Sequence, residues 1–211
     1  MPLGQSRDVH RLAQLFLIAL VPGLLVPALA SAEGFRFTPY LGYRGGGDFE
    51  DAVTGSTLDL DESESYGFIL SKDTDDALEF IYTLQPTELS GGSGVSSDRL
   101  FDVDVMNFMV AGKNILNPET GGFVSGMVGV THFDPRGTRL SSETRFAIGA
   151  GGGIDYRISD NLGFRLEGRG IATFLDSSGG VFCSSSQGCS AFVDSSVLLQ
   201  FEALAGLSLR F

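Results

Sequence analysis

The last sixteen residues constrain the fold more than any other feature of the chain. Val197, Leu199, Phe201, Ala203, Ala205, Leu207, Leu209 and Phe211 alternate with Ser196, Leu198, Gln200, Glu202, Leu204, Gly206, Ser208 and Arg210, so one face is wholly apolar and the other mostly polar. A period of two over that length describes a β-strand with unlike faces, not a helix of period 3.6. The alternation recurs upstream. Leu162, Phe164, Leu166, Gly170, Ala172 and Phe174 oppose Arg165, Glu167 and Arg169; Leu78, Phe80, Tyr82 and Leu84 oppose Glu79, Ile81, Thr83 and Gln85; Phe35, Phe37, Leu41 and Tyr43 oppose Arg36, Thr38, Tyr40 and Arg44. Eight strands are predicted, at 35–44, 64–71, 77–86, 101–113, 122–133, 144–158, 162–175 and 196–211. No stretch of ten or more residues carries a convincing i, i+3, i+4 apolar pattern, so the class is all-β. An even strand count returns both ends of the chain to the same side.

Which face points inward decides everything else. Charges facing water would make a soluble sandwich or a lipocalin-like barrel with an apolar lumen. Apolar faces meeting lipid would make a transmembrane barrel with a charged lumen. The signs of the strand charges favour lipid. Arg36, Glu79, Asp102, Asp104, Arg145, Asp155, Arg157, Arg165, Glu167, Arg169, Glu202 and Arg210 form a balanced set of bases and acids, while the acidic excess lies in the connections. Balance is what a closed, low-dielectric interior requires, because an unpaired buried charge is costly. The expected fold is therefore an eight-stranded antiparallel up-and-down transmembrane β-barrel.

One hairpin sharpens this. A three-residue loop Ser159-Asp160-Asn161, with Asn161 suited to the left-handed position of a G1-bulge turn, sets Ile158 opposite Leu162. Tyr156 then faces Phe164 and Ile154 faces Leu166 on one side. On the other, Asp155 faces Arg165, Gly153 faces Glu167 and Gly151 faces Arg169, so glycines stand across from the longest charged side chains.

The N-terminus carries Arg7, His10 and Arg11 ahead of an apolar stretch at 12–30, interrupted by Pro22, Gly23 and Pro27 and ending in Ala30-Ser31-Ala32. That is the pattern of a cleavable export signal over residues 1–32, with cleavage before Glu33 and the barrel occupying 33–211. Two prolines and a glycine argue against a membrane helix there. The whole chain carries a net charge of −12, and loss of Arg7, Arg11 and Asp8 would leave the remainder near −13. Such a surface excludes nucleic acid as a partner, since that binding rests on Lys and Arg neutralising phosphates. No later segment offers the roughly 20 apolar residues of a spanning helix, so any membrane crossing must use strands. Connections alternate between short (72–76, 114–121, 159–161) and longer (45–63, 87–100, 134–143, 176–195), which expects both termini on the periplasmic side. Phe35, Phe37, Tyr156, Phe164 and Phe211 would then join one aromatic girdle, with Tyr43 and Phe174 near the other.

The chain resembles the small outer-membrane β-barrel family of proteobacteria, the group of the OmpA transmembrane domain and OmpX. The carrying residues are the Gly-rich strand Ala147-Ile148-Gly149-Ala150-Gly151-Gly152-Gly153-Ile154-Asp155-Tyr156, the following Leu162-Gly163-Phe164-Arg165-Leu166-Glu167-Gly168-Arg169, and the terminal Leu207-Ser208-Leu209-Arg210-Phe211. The resemblance implies a cell outer-membrane location. It also implies contact with membrane lipid and lipopolysaccharide, and an assembly signal at Leu207, Leu209 and Phe211 addressed to the outer-membrane assembly machinery. Because the sequence stops at Phe211, no peptidoglycan-binding domain is expected to follow, and no cell-wall anchoring is implied.

Other constellations are weighed against simpler readings. Cys183 and Cys189 are the two cysteines, and their spacing, with no further ligands, speaks against zinc. Export through an oxidising compartment makes a disulfide the expectation, contributing roughly 2 kcal/mol by loop-closure entropy. Asp48, Glu50, Asp51, Asp59, Asp61, Glu62 and Glu64, with Asp73, Asp75 and Asp76, lack the EF-hand pattern and read as a solvated acidic surface; no metal site is expected. A role in holding divalent cations shared with lipopolysaccharide phosphates is the functional alternative. Gly149–Gly153 precedes no helix, so it is lumen packing and no nucleotide loop, and no cofactor is expected. His132, followed by Phe133-Asp134, with Ser141, Ser142 and Glu143 on the next connection, raises a Ser-His-acid site. The His-x-Ser pattern of lipid A deacylases is absent, however, and a rim histidine is the simpler reading. The expectation is a monomeric, non-enzymatic barrel acting in envelope integrity or surface interaction. A narrow OmpW-like route for small apolar molecules, or a lipid A-modifying barrel enzyme, remains the alternative.

Overall fold

The computed structural model describes residues 34–50, 57–72, 77–91, 98–137, 140–175, 180–184, 188–192 and 197–211, with residues 48–50, 57–58, 98–99, 180–184 and 188–192 described by their backbone alone. The predicted export signal lies outside these residues.

Among the described residues twelve strands occur in chain order: β1 Phe35–Gly46, β2 Asp48–Glu50, β3 Thr57–Leu60, β4 Ser63–Lys72, β5 Ala77–Gly91, β6 Asp98–Asn117, β7 Gly122–Pro135, β8 Glu143–Arg157, β9 Leu162–Phe174, β10 Gly180–Ser184, β11 Gly188–Phe192 and β12 Val197–Arg210. Eight of them, β1, β4, β5, β6, β7, β8, β9 and β12, are the staves of a closed antiparallel barrel. Each pairs with the next in chain order, and β12 returns to β1 with Tyr43 opposite Ala203. The ends of the chain are tied at the seam, where Gly34 N–H donates to Phe211 O at 2.8 Å and Phe211 N–H to Phe35 O at 3.0 Å. Closure matters because it leaves no stave with an unpaired edge, a condition for backbone in hydrocarbon.

The eight staves are the eight predicted strands, lengthened most at β5 and β6. Those two have 15 and 20 residues, against the ~10 that cross a hydrocarbon core. The wall therefore rises highest on that side. Two of the longer predicted connections, the acid-rich one at 45–63 and the one at 176–195, also contain strands: β2 pairs with β3 and β3 with β5, continuing the wall, while β10 and β11 make a separate two-stranded hairpin.

The β8–β9 register is the one predicted from the short loop. Tyr156 pairs with Phe164, Ile154 with Leu166, Asp155 with Arg165, Gly153 with Glu167 and Gly151 with Arg169. Ile158 N–H and Ser159 N–H both donate to Leu162 O at 2.9 Å, closing the turn on a single carbonyl. A side chain at Gly153 would place its Cβ 1.9 Å from Leu166 O, and one at Gly151 would sit 2.9 Å from Arg169 Cβ. Glycine at these two positions is thus required by the close approach of β9.

Sidedness of the wall follows the period of two. Leu41 and Leu78 are more than 70% exposed on the outside, while Arg44, Glu79 and Arg165 are completely buried inside. Aromatic rings run in a row across the outer faces of β1, β4, β5 and β6: Phe37 to Phe68 at 5.7 Å between centroids, Phe68 to Tyr82 at 5.6 Å, Tyr82 to Phe108 at 5.1 Å. A soluble β protein buries such a row; this one displays it.

Candidate functional site, a filled lumen

Eight staves enclose a space only wide enough for side chains, so any site inside is built from residues of inward parity. Two kinds of filling divide that space. Toward the end that carries the termini and the short turns, the turn end, the filling is ionic, with a second buried apolar cluster around Ile69, Ile81, Met109 and Met127 packed among the charges. Toward the opposite, loop end it is apolar.

At the turn-end mouth, Asp155 of β8 is shared by three cations. Lys113 Nζ of β6 lies 3.0 Å from Asp155 Oδ2, Arg210 Nη2 of β12 lies 3.7 Å from Oδ1, and Arg36 of β1 donates directly to the same carboxylate. The next layer centres on Arg165 of β9. Its Nη1 and Nη2 donate to Glu79 Oε1 and Oε2 across the lumen at 2.7 and 2.8 Å, and its Nε donates to Glu167 Oε2 at 2.9 Å. Fork-to-carboxylate geometry of this kind is the strong form of a charged hydrogen bond. Arg165 also lies 4.5 Å over the Phe123 ring of β7, a cation–π contact that covers its remaining face. Lys113 bridges the two layers, 3.6 Å from Glu79 Oε1.

The third layer is centred on β1, β5, β9 and β12 and reaches β4, β6 and β7. Arg169 donates to Glu202 Oε2 at 2.5 Å, to Tyr40 Oη at 2.6 Å and to Thr83 Oγ1 at 2.9 Å. Arg44 Nη2 donates to the same Glu202 oxygen at 3.1 Å, Arg44 Nη1 donates to Asn107 Oδ1, and Ser65 Oγ donates to Glu202 Oε1. Asn107 Nδ2 passes the network to Thr131 Oγ1 at 2.7 Å, and Thr131 to Thr173 at 2.8 Å. Gln200 and Gln85 close it, 3.2 Å apart. Above them Leu60, Leu89, Val103, Val105, Phe133, Leu175 and Leu198 are buried against one another inside the barrel.

Among the described residues the buried charges are the six bases Arg36, Arg44, Lys113, Arg165, Arg169 and Arg210 and the four acids Glu79, Asp155, Glu167 and Glu202. The interior is therefore basic, not the balanced set expected from sequence. Arg44 and Lys113 were absent from that set, although Arg44 has the parity of Arg36 and Lys113 that of Met109. Asp102 and Asp104 belong to the outer face. Within β6 it is Val103, Val105 and Asn107 that point inward and are buried, and a strand cannot send neighbouring residues to the same side. Asp104 instead takes hydrogen bonds from Arg136 in the turn after β7, which hold that guanidinium's pKa above its ordinary value. Arg145 has inward parity but sits at the loop-end mouth, 2.8 Å from Glu143, and Arg157 is exposed at the turn-end mouth.

The remaining sequence candidates are dispersed. Leu207 and Leu209 lie on the outer wall opposite Phe164 and Leu162, with Phe211 beside them at the seam. His132 points outward and shares a hydrogen bond with Thr144 at 2.8 Å. Ser141 and Ser142 are exposed on the connection ahead of β8. Backbone pairing sets Cys183 directly opposite Cys189 in β10–β11; their side chains lie outside the described residues. Of the acids in the first connection, Asp61 Oδ2 accepts from Ser90 Oγ at 3.2 Å, while Glu62 and Glu64 are exposed. Asp51, Asp73, Asp75 and Asp76 lie outside the described residues, as do the side chains of Asp48 and Glu50. Among the described residues no three His, Cys, Asp or Glu side chains are gathered to hold a metal ion.

No protein family's sequence profile matches the chain, and no curated protein matches it in sequence. Solved structures do match. Neisserial surface protein A (NspA) is similar at 12% identity with a TM-score of 0.57, over 85% of this chain and 98% of that one. The outer membrane protein OprG from Pseudomonas aeruginosa is similar at 9% identity with a TM-score of 0.53, over 85% of this chain and 96% of that one. Identities this low speak to architecture alone, and the architecture they share with this chain is that of a small outer-membrane β-barrel.

Proposed function

We propose that the chain is an integral outer-membrane barrel protein, monomeric and non-enzymatic, whose transmembrane part is a sealed anchor and whose role in envelope integrity or surface interaction is exercised by its loop end. The observation that carries this is the inversion of the two faces. Leucine and phenylalanine cover the outside while ten charged side chains are buried within, an arrangement stable only where hydrocarbon replaces water around the wall. The stacked ionic and apolar layers support the sealed lumen, since buried side chains of one kind or the other occupy it from the turn end to the loop end. In this reading the turn end is periplasmic and the loop end extracellular. The outer wall meets lipid and lipopolysaccharide, and Leu207, Leu209 and Phe211 present the β-signal to the assembly machinery.

Membrane fractionation with a heat-modifiability gel tests the placement. The folded chain should stay with the outer membrane and shift on boiling; recovery in the aqueous fraction would sink the reading. Planar-bilayer recording tests the seal, which predicts no steady porin-sized conductance.

A second reading, passage of small apolar molecules, is favoured by one observation. The apolar layer of Leu89, Val103, Val105, Phe133 and Leu198 forms a greasy upper lumen. It requires those side chains to part, so a Val105→Trp variant should abolish uptake of an apolar solute in cells if the reading is right.

A further inference from the structure

The turn-end mouth holds a cavity of about 480 Å³ that the sealed-anchor reading does not use. Arg36, Lys113, Arg157 and Arg210 line it, against Asp155 and Glu119. Four bases and two acids around one opening are unusual on a chain whose net charge is −12. The bases come from four different staves, β1, β6, β8 and β12, so the fold gathers them at one place and no single run of sequence does. Three of the four are buried and fixed by Asp155, as described above, while Arg157 is exposed at the rim.

The rim is rigid. Asn117 Oδ1 accepts from Glu119 N–H at 2.9 Å and Thr120 N–H at 3.3 Å, capping the β6–β7 turn. Gly121 then adopts a φ of +69° and passes so close to β8 that a Cβ would lie 2.3 Å from Asp155 O. Asp155 N–H donates to Gly121 O at 2.9 Å, locking the turn against the strand that carries both Asp155 and Arg157. A pre-formed concave site with convergent guanidinium and ammonium groups is suited to a compact multiply charged anion, because such groups bind phosphate oxygens with charge-assisted hydrogen bonds.

The geometry points to a phosphate-binding site at the turn-end mouth of the barrel. Its ligand is a phosphate group, borne either by a phospholipid headgroup at the adjoining membrane face or by a free phosphate in the aqueous compartment. Asp155 organises the bases and Arg157 closes on the ligand from the rim.

The test is calorimetric titration of the intact, detergent-folded protein with three probes: inorganic phosphate, dihexanoyl-phosphatidylglycerol, and dihexanoylglycerol, which has the same tails and no phosphate. At least one phosphate-bearing probe should bind, the two should compete for one site where both bind, and dihexanoylglycerol should not bind. Tighter binding of the phosphatidylglycerol assigns the headgroup source, and binding of inorganic phosphate alone assigns the free ion. Arg157→Gln, at an exposed position and checked for folding by its shift on boiling, should weaken binding about tenfold or more by removing one charged hydrogen bond. Arg136→Gln at the opposite end should not change it. The proposal is overturned if neither phosphate probe binds, if dihexanoylglycerol binds as well as the phospholipid, or if both variants weaken binding equally. All of these readouts are made in detergent, so failure here leaves the membrane placement intact.

Discussion

The two halves of the lumen solve the same packing problem with opposite chemistry. In the turn-end half Arg165 and Arg169 of β9 reach across the barrel to Glu79 and Thr83 of β5, Glu167 and Glu202 meet them from the same and the neighbouring stave, and a second apolar cluster around Ile69, Ile81, Met109 and Met127 is buried beside them. The loop-end half is filled by Leu89, Val103, Val105, Phe133 and Leu198. In lipid, apolar filling gains nothing over an apolar outside, whereas a charge network has one environment only in which it is satisfied. The ionic half therefore specifies the inside-out arrangement and the register, and the apolar half acts as close-packed filler. The difference also explains why a reading by charge succeeds in one half and fails in the other.

Four experiments press on that contrast. Arg165→Ala should be the most damaging change, because it takes from buried Glu167 its Arg165 hydrogen bond and leaves buried Glu79 with Lys113 alone. A loss of about 3–5 kcal/mol is expected in urea unfolding of the folded barrel. Adding Glu79→Leu and Glu167→Leu to it should recover much of the loss; absence of recovery would show that bulk, and not stranded charge, is what Arg165 supplies. Leu198→Ala in the apolar half should cost about 2–4 kcal/mol by cavity formation, with no dependence on salt or pH. The β10–β11 hairpin comes next. Its register sets Cys183 opposite Cys189, at a Cα separation characteristic of cross-strand pairs and within disulfide range. Mass mapping should find neither thiol alkylated before reduction, with reduction costing roughly 2 kcal/mol at most. Smallest of all is Asp104→Asn on the outer rim, expected within about 0.5 kcal/mol of the parent. A large loss there would return Asp104 to the interior network.

Staves were legible because period-two alternation is a local property, written most clearly in β12, β9 and β1. The β8–β9 register was legible too, since a three-residue loop leaves little freedom and one pairing follows from it. Strand parity was harder where both faces offer plausible lumen residues. In β6, Asp102 and Asp104 compete with Val103 and Val105. Charge favours the aspartates, but Lys113, nine residues beyond Asp104 on the opposite parity, is the one that reaches Asp155. Reading parity from the middle of the strand, where Asn107, Met109 and Ala111 are buried, resolves it. No local pattern could have shown that Asp155 gathers bases from β1, β6 and β12, because their meeting depends on closure of the whole ring.

The chain contains no tryptophan, so a single introduced one reports without background. Leu166→Trp on the outer wall and Phe123→Trp against Arg165 should be reconstituted separately into bilayers with brominated acyl chains and their fluorescence compared. Strong quenching at 166 and little at 123 is the predicted result. Quenching at 123 with 166 untouched would mean that hydrocarbon lies on the other side of the wall.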